Sequence, residues 1–293
     1  MTALLAVSDL SKAFGGVQAI DAVSFEVRSG TVHSIIGPNG AGKTTLLNML
    51  TGIYVPDAGQ LQLNGRQLAG QPTHRFAAAG IGRTFQNLQV FFNMTALENV
   101  MTGRHLREPC SLLHALLRTP ALVRAEAACR DVAQRLLNLV GLAGYATTLA
   151  DAMPYGALKR LEIARALAAE PKLLLLDEPA AGLNHSEARE IDVLIKKLAA
   201  DGTTVILVEH NMKLVMGVSD HVLVLDHGKK LAEGTPAQIA SDPRVIEAYL
   251  GSTDDPKTPA ASPSEPGRGP AMAPASAAPL ARPGNGGSGV GHA

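Results

Sequence analysis

The chain has 293 residues, of which 46% are hydrophobic and 18% charged, so it can bury one sizeable core or a core with a smaller lobe. Its 26 Lys and Arg residues balance its 26 Asp and Glu residues, and this lack of basic excess argues against a general nucleic-acid binder. Its apolar runs fall short of the roughly 20 residues of a membrane span, and its N-terminus lacks the pattern of a secretory signal, so we expect any membrane association to be peripheral.

The first strands lead into a glycine-rich turn. Alternating apolar and polar residues over Val23–Val27 predict a half-exposed strand, and Thr31–Ile36 predicts a buried one. The sequence Gly-Pro-Asn-Gly-Ala-Gly-Lys-Thr, from Gly37 to Thr44, follows directly and fits the phosphate-binding loop pattern. Its glycines let backbone N–H groups surround nucleotide phosphates, and the next helix adds positive partial charge. We expect Lys43 to reach the β- and γ-phosphates and the Thr44 hydroxyl to bind Mg²⁺.

The middle of the chain has a different pattern. From about Thr95 to Ala168 it shows amphipathic helical periodicity, notably over Arg124–Val140, and little strand signal. This predicts a helical subdomain, about residues 90–170, inserted into an α/β core. Cys110 and Cys129 have no metal-binding spacing, and we expect ordinary packed thiols in a reducing cytosol.

The remaining folded part alternates helices and strands. Two predicted helices each precede a short apolar run of buried-strand length: Leu158–Ala168 before Lys172–Leu176, and Glu187–Ala199 before Thr203–Val208. This alternation predicts a parallel α/β sheet. A terminal hairpin is expected from His221–Leu225 and Lys229–Glu233, which are joined by Asp-His-Gly.

Charged residues follow two of these strands. Asp177 ends one apolar run, where its carboxylate is expected to bind the metal through water, and Glu178 comes next, where it could polarise an attacking water. An Asp-Glu pair alone would indicate a solvated helix start, but the phosphate-binding loop favours the catalytic interpretation. His210 follows the neighbouring strand. A lone histidine there is usually structural, but a third parallel strand ending beside the others would bring it to the γ-phosphate.

The composition changes near Gly251. Residues 252–293 are mostly Pro, Ala, Gly and Ser without hydrophobic periodicity, so we expect a disordered tail. A tail that binds some partner is the alternative. The folded unit is therefore expected to span residues 1–251.

The ordered set of motifs resembles the ABC ATPases over about Leu4 to Gly251. The set comprises the phosphate loop, Thr-Phe-Gln-Asn, Tyr-Gly, Leu-Leu-Leu-Asp-Glu-Pro, Ala-Gly-Leu-Asn and Glu-His-Asn. Within that family it most resembles the larger ATPase of branched-chain amino acid importers. The matching strings begin at Arg83, Leu161, Asp177, Glu209 and Val245, and related exporters and urea-type importers share parts of them. The resemblance implies an α/β P-loop NTPase fold, an ABC-ATPase core with an antiparallel β region and an inserted α-helical subdomain.

The resemblance also implies roles for individual residues toward ATP and Mg²⁺. Phe14 would stack on adenine, with Val17 or Ala19 lining the same pocket, although Phe14 as a plain core residue is the alternative. The phosphate-loop contacts would come from Asn39, Gly40, Ala41, Gly42, Lys43, Thr44 and Thr45. The metal would be held by Thr44, Gln86 and Asp177. The catalytic residues would be Glu178, His210 and Gln86, and the Gln86 loop would also couple the core to a membrane partner.

The family signature is altered in this chain. The usual Leu-Ser-Gly-Gly-Gln completes the ATP site of the opposite monomer, and here Tyr155 and Gly156 would contact that nucleotide. Pro154 removes the serine hydroxyl and one backbone N–H, and Ala157 replaces the usual Gln. Asn184 stands where the dimer-contact loop usually has Asp. Proline near a first helical turn leaves the fold intact, so we expect one competent and one weak ATP site in a heterodimer.

The resemblance implies partners and a location. The partners would be a second ABC ATPase subunit, two membrane-spanning permease subunits and, indirectly, a periplasmic solute-binding protein, with no nucleic acid and no metal other than Mg²⁺. The chain would lie on the cytoplasmic face of the inner membrane. Three alternatives stay open: a nucleotide-gated subunit with weak hydrolysis because of Pro154 and Ala157, an ATPase of a related transport system, and a non-transport ABC protein. The last class usually carries paired cassettes, zinc modules or basic extensions, which this sequence lacks.

Overall fold

The computed structural model describes residues 3–107 and 120–250 of the chain. The predicted tail at 252–293 and Cys110 lie outside these residues. Among the described helices, none is both long enough and apolar enough to cross a membrane.

The described residues form ten strands and nine helices. The strands are β1 Ala3–Phe14, β2 Val17–Arg28, β3 Val32–Ile36, β4 Ala58–Leu63, β5 Arg66–Gln67, β6 Ile81–Arg83, β7 Leu173–Asp177, β8 Thr204–Val208, β9 His221–Asp226 and β10 Lys229–Gly234. The helices are α1 Lys43–Leu50, α2 Thr73–Ala79, α3 Ala96–Thr102, α4 Pro120–Leu139, α5 Tyr155–Leu167, α6 His185–Ala200, α7 Met212–Val218, α8 Pro236–Ala240 and α9 Pro243–Leu250. Two short 3₁₀ turns lie at Ala143–Tyr145 and Ala150–Ala152.

The larger sheet has the strand order β10-β9-β3-β8-β7-β6, and only β10 runs antiparallel to its neighbour. Strands β3, β7 and β8 are buried along their whole length, which explains their continuous apolar sequences. The predicted parallel sheet and the hairpin of β9 and β10 are confirmed. Because β8 lies between β3 and β7, the segments that follow these three strands begin side by side.

The smaller sheet is antiparallel, with the order β2-β1-β4-β5. The predicted strand over Val23–Val27 lies in the C-terminal half of β2. The long strand β1 escaped prediction because its pairing with β2 and β4 is interrupted by register shifts. Asp9 and Ala22 take positive φ angles of 48° and 49° in these irregular regions. Such interruptions break the period-two alternation that identifies a strand from sequence.

Helices α3, α4 and α5 pack together over the region that was predicted to be helical. Val100, Leu137 and Leu161 supply one fully buried side chain from each helix to the shared core. The amphipathic pattern over Arg124–Val140 corresponds to the later part of α4. The boundaries of a helical subdomain at about residues 90 and 170 stay a prediction.

Helix α6 begins at a capping box. The Asn184 side chain accepts hydrogen bonds from the backbone N–H groups of Ser186 and Glu187, and the Glu187 carboxylate accepts one from the Asn184 N–H at 3.0 Å. Asn and Asp are about equally good helix N-caps. The replacement of Asp by Asn at position 184 is therefore compatible with the same helix start.

A buried histidine pair lies in the larger sheet. His33 on β3 is 1% exposed, and its ring stacks on His221 of β9 with the ring centroids 5.7 Å apart. The His33 Nε2 atom is buried without a hydrogen-bond partner. Burial, with a smaller contribution from the neighbouring His221, lowers the pKa of His33 to about 3.

We expect this histidine to make the fold sensitive to mild acid. Below the ordinary pKa of 6.5, the unfolded chain binds a proton at His33 that the folded chain rejects until about pH 3. The free energy of unfolding should therefore fall as the pH drops, by about 2 kcal/mol from this residue between pH 7 and pH 5. Urea unfolding at both pH values should show a smaller loss for His33→Leu than for wild type. His227→Asn, at an exposed turn, is the matched control, and equal losses for His33→Leu and wild type would contradict the prediction.

Candidate functional site

A cavity of about 520 Å³ lies beyond the carboxyl ends of the parallel strands, the edge at which α/β sheets bind ligands. Residues from six separate parts of the sequence line it. They are Val17, Gln18, Ala19, Asn39, Gly40, Ala41, Gly42, Lys43, Thr44, Thr45, Gln86, Glu178, His210 and His227. The cavity therefore contains every predicted phosphate-loop residue together with Gln86, Glu178 and His210.

The phosphate-binding loop joins β3 to α1 and depends on glycine where the chain turns. Gly42 has a φ of 98°, and a Cβ there would lie 2.6 Å from the Ala19 carbonyl oxygen, so no other residue fits without moving the backbone. Lys43 is the first residue of α1, and its Nζ donates to the carbonyl oxygens of Gly37 and Pro38 at 2.7 and 3.0 Å. The loop therefore combines a helix N-terminus with a lysine ammonium group, an arrangement that binds phosphate.

The Lys43 ammonium group has little contact with solvent. Burial lowers its pKa, and the negative charges of Glu178 and Asp177 act in the opposite direction. Its hydrogen bonds to two carbonyl oxygens leave the positive charge weakly neutralised. A phosphate group entering the cavity would add its negative charge to those of Glu178 and Asp177 beside this lysine.

Three predicted catalytic residues meet at one carboxylate. Glu178 Oε1 lies 2.8 Å from His210 Nε2, and Gln86 Nε2 donates to Glu178 Oε2 at 3.1 Å. Glu178 has a φ of 48°, and its backbone N–H donates to the Val208 carbonyl oxygen at 2.9 Å. A positive φ in a non-glycine residue costs about 1–3 kcal/mol, and such strain is concentrated at functional sites. The strained backbone holds the Glu178 carboxylate between the other two side chains.

Glu209, which directly follows β8, received no role in the sequence interpretation. Its buried carboxylate accepts hydrogen bonds from the backbone N–H groups of Ala180 at 2.9 Å and His210 at 3.2 Å. Burial raises its pKa, whereas the backbone donors lower it and the nearby Glu178 raises it further. Glu209 therefore joins the segment after Glu178 to the segment that carries His210. The sequence places an acid beside His210, but only the fold identifies the two backbone N–H groups that its carboxylate binds.

Asp177 ends β7 outside the set of cavity-lining residues. Its Oδ2 accepts a hydrogen bond from Arg83 at 2.9 Å, and both side chains are less than 10% exposed. Arg83 also donates to Asn48 Oδ1 at 2.7 Å and Thr51 Oγ1 at 3.2 Å. The guanidinium group therefore links α1, β6 and β7 just beside the phosphate-binding loop. This ion pair could not be predicted from the sequence because its partners lie far apart in the chain.

The adenine side of the cavity differs in part from the expectation. Val17 and Ala19 line the cavity, but Phe14 is not among its lining residues. The Phe14 ring is 42% exposed, so it is not a core residue, and it contacts the edge of Tyr54 at a centroid distance of 5.1 Å. Stacking of Phe14 on adenine stays a prediction. Gln18 and His227 line the cavity in addition to the predicted residues.

The signature segment lies away from the cavity of its own chain. Pro154 is the N-cap of α5, and Tyr155 packs against Gly182, where an added Cβ would lie 3.2 Å from the ring. A Cβ at Gly156 would collide with the Glu187 carboxylate. Tyr155 and Gly156 therefore pack on the turn before α6. Contact of these two residues with the nucleotide of another subunit stays a prediction.

Comparisons with known proteins agree on one family. The family model described as "ABC transporter" matches residues 20–181, and the one described as "Branched-chain amino acid ATP-binding cassette transporter" matches residues 229–255. The chain is 46% identical to the high-affinity branched-chain amino acid transport ATP-binding protein BraF of Pseudomonas aeruginosa. It is 45% identical to LivG of Escherichia coli, a protein described in the same words. Each alignment covers 85% of this chain and 98% of the relative.

Further comparisons extend to another transport system and to a solved structure. The lipopolysaccharide export system ATP-binding protein LptB of Acidithiobacillus ferridurans is 36% identical over 86% of this chain and 98% of its own length. The crystal structure of the ADP conformation of an ATP-binding cassette of an ABC transporter matches with a TM-score of 0.75 and 32% identity. It covers 86% of this chain and 100% of the other.

We expect the buried ion pair to stabilise the fold around the cavity. Arg83→Met leaves the Asp177 carboxylate buried and unpaired, so the free energy of unfolding should fall by about 3–5 kcal/mol. Arg244→Met removes a guanidinium group from a surface pair with Asp242 and should cost far less, because solvent screens that pair. Chemical denaturation of the two variants beside wild type measures both values. Similar losses for the two variants would contradict the prediction.

Proposed function

Because this chain belongs to the ABC transporter family of ATP-binding proteins, we propose that it hydrolyses ATP to power the import of branched-chain amino acids or similar small solutes. The membrane path would belong to separate subunits. The observation that carries the proposal is the Glu178 carboxylate, held between Gln86 and His210 at the phosphate-binding loop. The named cargo of the relatives supports the choice of substrate.

The side chains of the site suit hydrolysis of a terminal phosphate. Glu178 would accept a proton from the attacking water, and Gln86 would orient that water. His210 would contact the γ-phosphate while its ring keeps the Glu178 carboxylate in place. Lys43 would hold the β- and γ-phosphates with its ammonium group. Positioning and charge complementarity, rather than covalent catalysis, would lower the barrier.

The site also suits a magnesium ion. Thr44, Gln86 and Asp177 offer a hydroxyl, an amide oxygen and a carboxylate, an all-oxygen donor set of the kind that Mg²⁺ prefers. Thr44 and Gln86 line the cavity, and Asp177 directly precedes Glu178 at the end of β7. When bound, Mg²⁺ would neutralise charge on the phosphates.

We also propose the partners of the chain. Tyr155 and Gly156 would contact the nucleotide held by a second ABC ATPase subunit, and the two subunits would close around two ATP molecules. Two membrane-spanning permease subunits would dock beside the Gln86 loop, where Phe91 and Phe92 are 46% and 48% exposed. The chain would lie on the cytoplasmic face of the membrane, and a periplasmic solute-binding protein would act on the permeases.

A nucleotide-gated subunit with weak hydrolysis is the second candidate, and Pro154 is the observation that favours it. In a heterodimer, however, the site built from Glu178 and His210 would use the signature of the partner. The weak signature would then affect only the site of the partner. Import is favoured over a related transport system because identity to the branched-chain relatives exceeds identity to the export protein.

We expect ATP hydrolysis to require both ATPase subunits. The full-length chain alone should be a poor ATPase, because both sites of a homodimer would use the Pro154 signature. Mixing it with the second ATPase of its transport system should raise phosphate release at least tenfold, and Glu178→Gln in this chain should remove the gain. Strong activity of the chain alone would show that the altered signature is harmless.

Restoring the signature should raise turnover in the heterodimer. Pro154→Ser adds a hydroxyl and a backbone N–H, and one charge-assisted phosphate contact contributes about 1.5–3 kcal/mol, which corresponds to about 10–100-fold in the affected site. The matched change Ala157→Gln is less informative, because Ala157 is buried in the core of the helical region and a longer side chain would disturb it. Unchanged turnover of Pro154→Ser would contradict the asymmetric-site proposal.

A further inference from the structure

The loop that carries Gln86 is bound by two side chains of helix α5. Lys159 Nζ donates to the Gln86 carbonyl oxygen at 2.9 Å, and Glu162 Oε1 accepts a hydrogen bond from the Phe85 backbone N–H at 3.1 Å. Two consecutive residues of the loop are therefore bound by side chains three residues apart on one face of a helix. Lys159 and Glu162 are each only 2% exposed.

Burying these two charges is unfavourable unless the contacts are specific. Each buried ion costs several kcal/mol of desolvation, and an apolar pair of similar volume is often equally or more stable. Burial raises the pKa of Glu162, and the Phe85 N–H together with the positive charge of Lys159 act against that rise. Stability alone therefore does not explain this pair. The two polar side chains fix the position of the backbone of residues 85 and 86 through hydrogen bonds, which two apolar side chains could not make.

The same lysine lies beside the signature segment. Its Nζ is 5.9 Å from the centroid of the Tyr155 ring, at the first turn of α5. On the other side of the loop, the Gln86 side chain donates to Glu178. Contacts therefore run without a gap from Tyr155 through Lys159 and Gln86 to Glu178.

We propose that Lys159 and Glu162 are positioning residues for ATP hydrolysis. They fix the Gln86 loop to the helix that begins at the signature segment, so that Gln86 contacts Glu178 only while α5 holds its place. The catalytic role of the two residues rests on the proposed function, whereas their hydrogen bonds to the Gln86 loop are seen in the structure.

The kinetic test replaces the lysine in the full-length chain, assayed with the second ATPase. Lys159→Met keeps the length and packing of the side chain but loses the donor. It should lower kcat at least tenfold, with the KM for ATP within twofold of wild type. Arg160→Met, on the next residue of α5, removes a cation that pairs with Glu190 away from the loop, and it should keep kcat within twofold. A kcat for Lys159→Met equal to that of Arg160→Met would overturn the proposal.

A double mutant shows whether Lys159 acts through Gln86. In a Gln86→Ala background the amide that Lys159 would position is absent. Adding Lys159→Met to that variant should therefore lower kcat by no more than a further twofold. Two residues that act as one unit show such non-additive effects. Full multiplication of the two single losses would overturn the proposal.

Hydrogen exchange tests the contact without any nucleotide. Glu162→Ala removes the acceptor of the Phe85 N–H, and that amide should exchange at least tenfold faster. Glu162→Gln keeps an acceptor oxygen, so the Phe85 amide of this variant should exchange within threefold of its rate in wild type. If Glu162→Ala does not fold, Lys159→Met serves for the same measurement, since it frees the neighbouring carbonyl. Unchanged Phe85 exchange would overturn the inference, whereas absent ATP hydrolysis with faster exchange would overturn only the proposed function.

Discussion

The adjacency of β3, β8 and β7 is the constraint on which the site depends. The phosphate-binding loop follows β3, His210 follows β8, and Glu178 follows β7. Parallel pairing brings these three strand ends to one edge of the sheet, so residues separated by up to about 170 positions in sequence become neighbours. The strands are buried along their length because helices cover one face of the sheet, while α1 and the antiparallel sheet cover the other.

Around this edge, buried charged side chains add contacts between neighbouring segments to those that the backbone hydrogen bonds provide. Arg83 links α1 and β6 to Asp177, Glu209 links the segments that carry Glu178 and His210, and Lys159 links α5 to Gln86. Each such contact is expensive to desolvate and tolerates little displacement. These contacts make the catalytic geometry specific, and they also make it sensitive to the position of α5.

The signature segment illustrates how sequence and packing combine. Pro154 is tolerated as the N-cap of α5 although it makes no capping hydrogen bond, and the Asn184 capping box starts α6 against the same surface. Gly156 is required there because the Glu187 carboxylate occupies the space of a side chain. The unusual residues of this segment therefore fit a regular fold.

The sequence by itself determined the phosphate-binding loop, the buried strands of the parallel sheet, the helical region and the order of the motifs. Those features depend on local patterns: glycine spacing, apolar runs and helical periodicity. Only the tertiary structure decided that Arg83 pairs with Asp177, that Phe14 contacts Tyr54, and that β1 joins an irregular antiparallel sheet. These contacts join residues distant in the chain, and their energies depend on burial and on exact side-chain direction, neither of which a linear pattern contains.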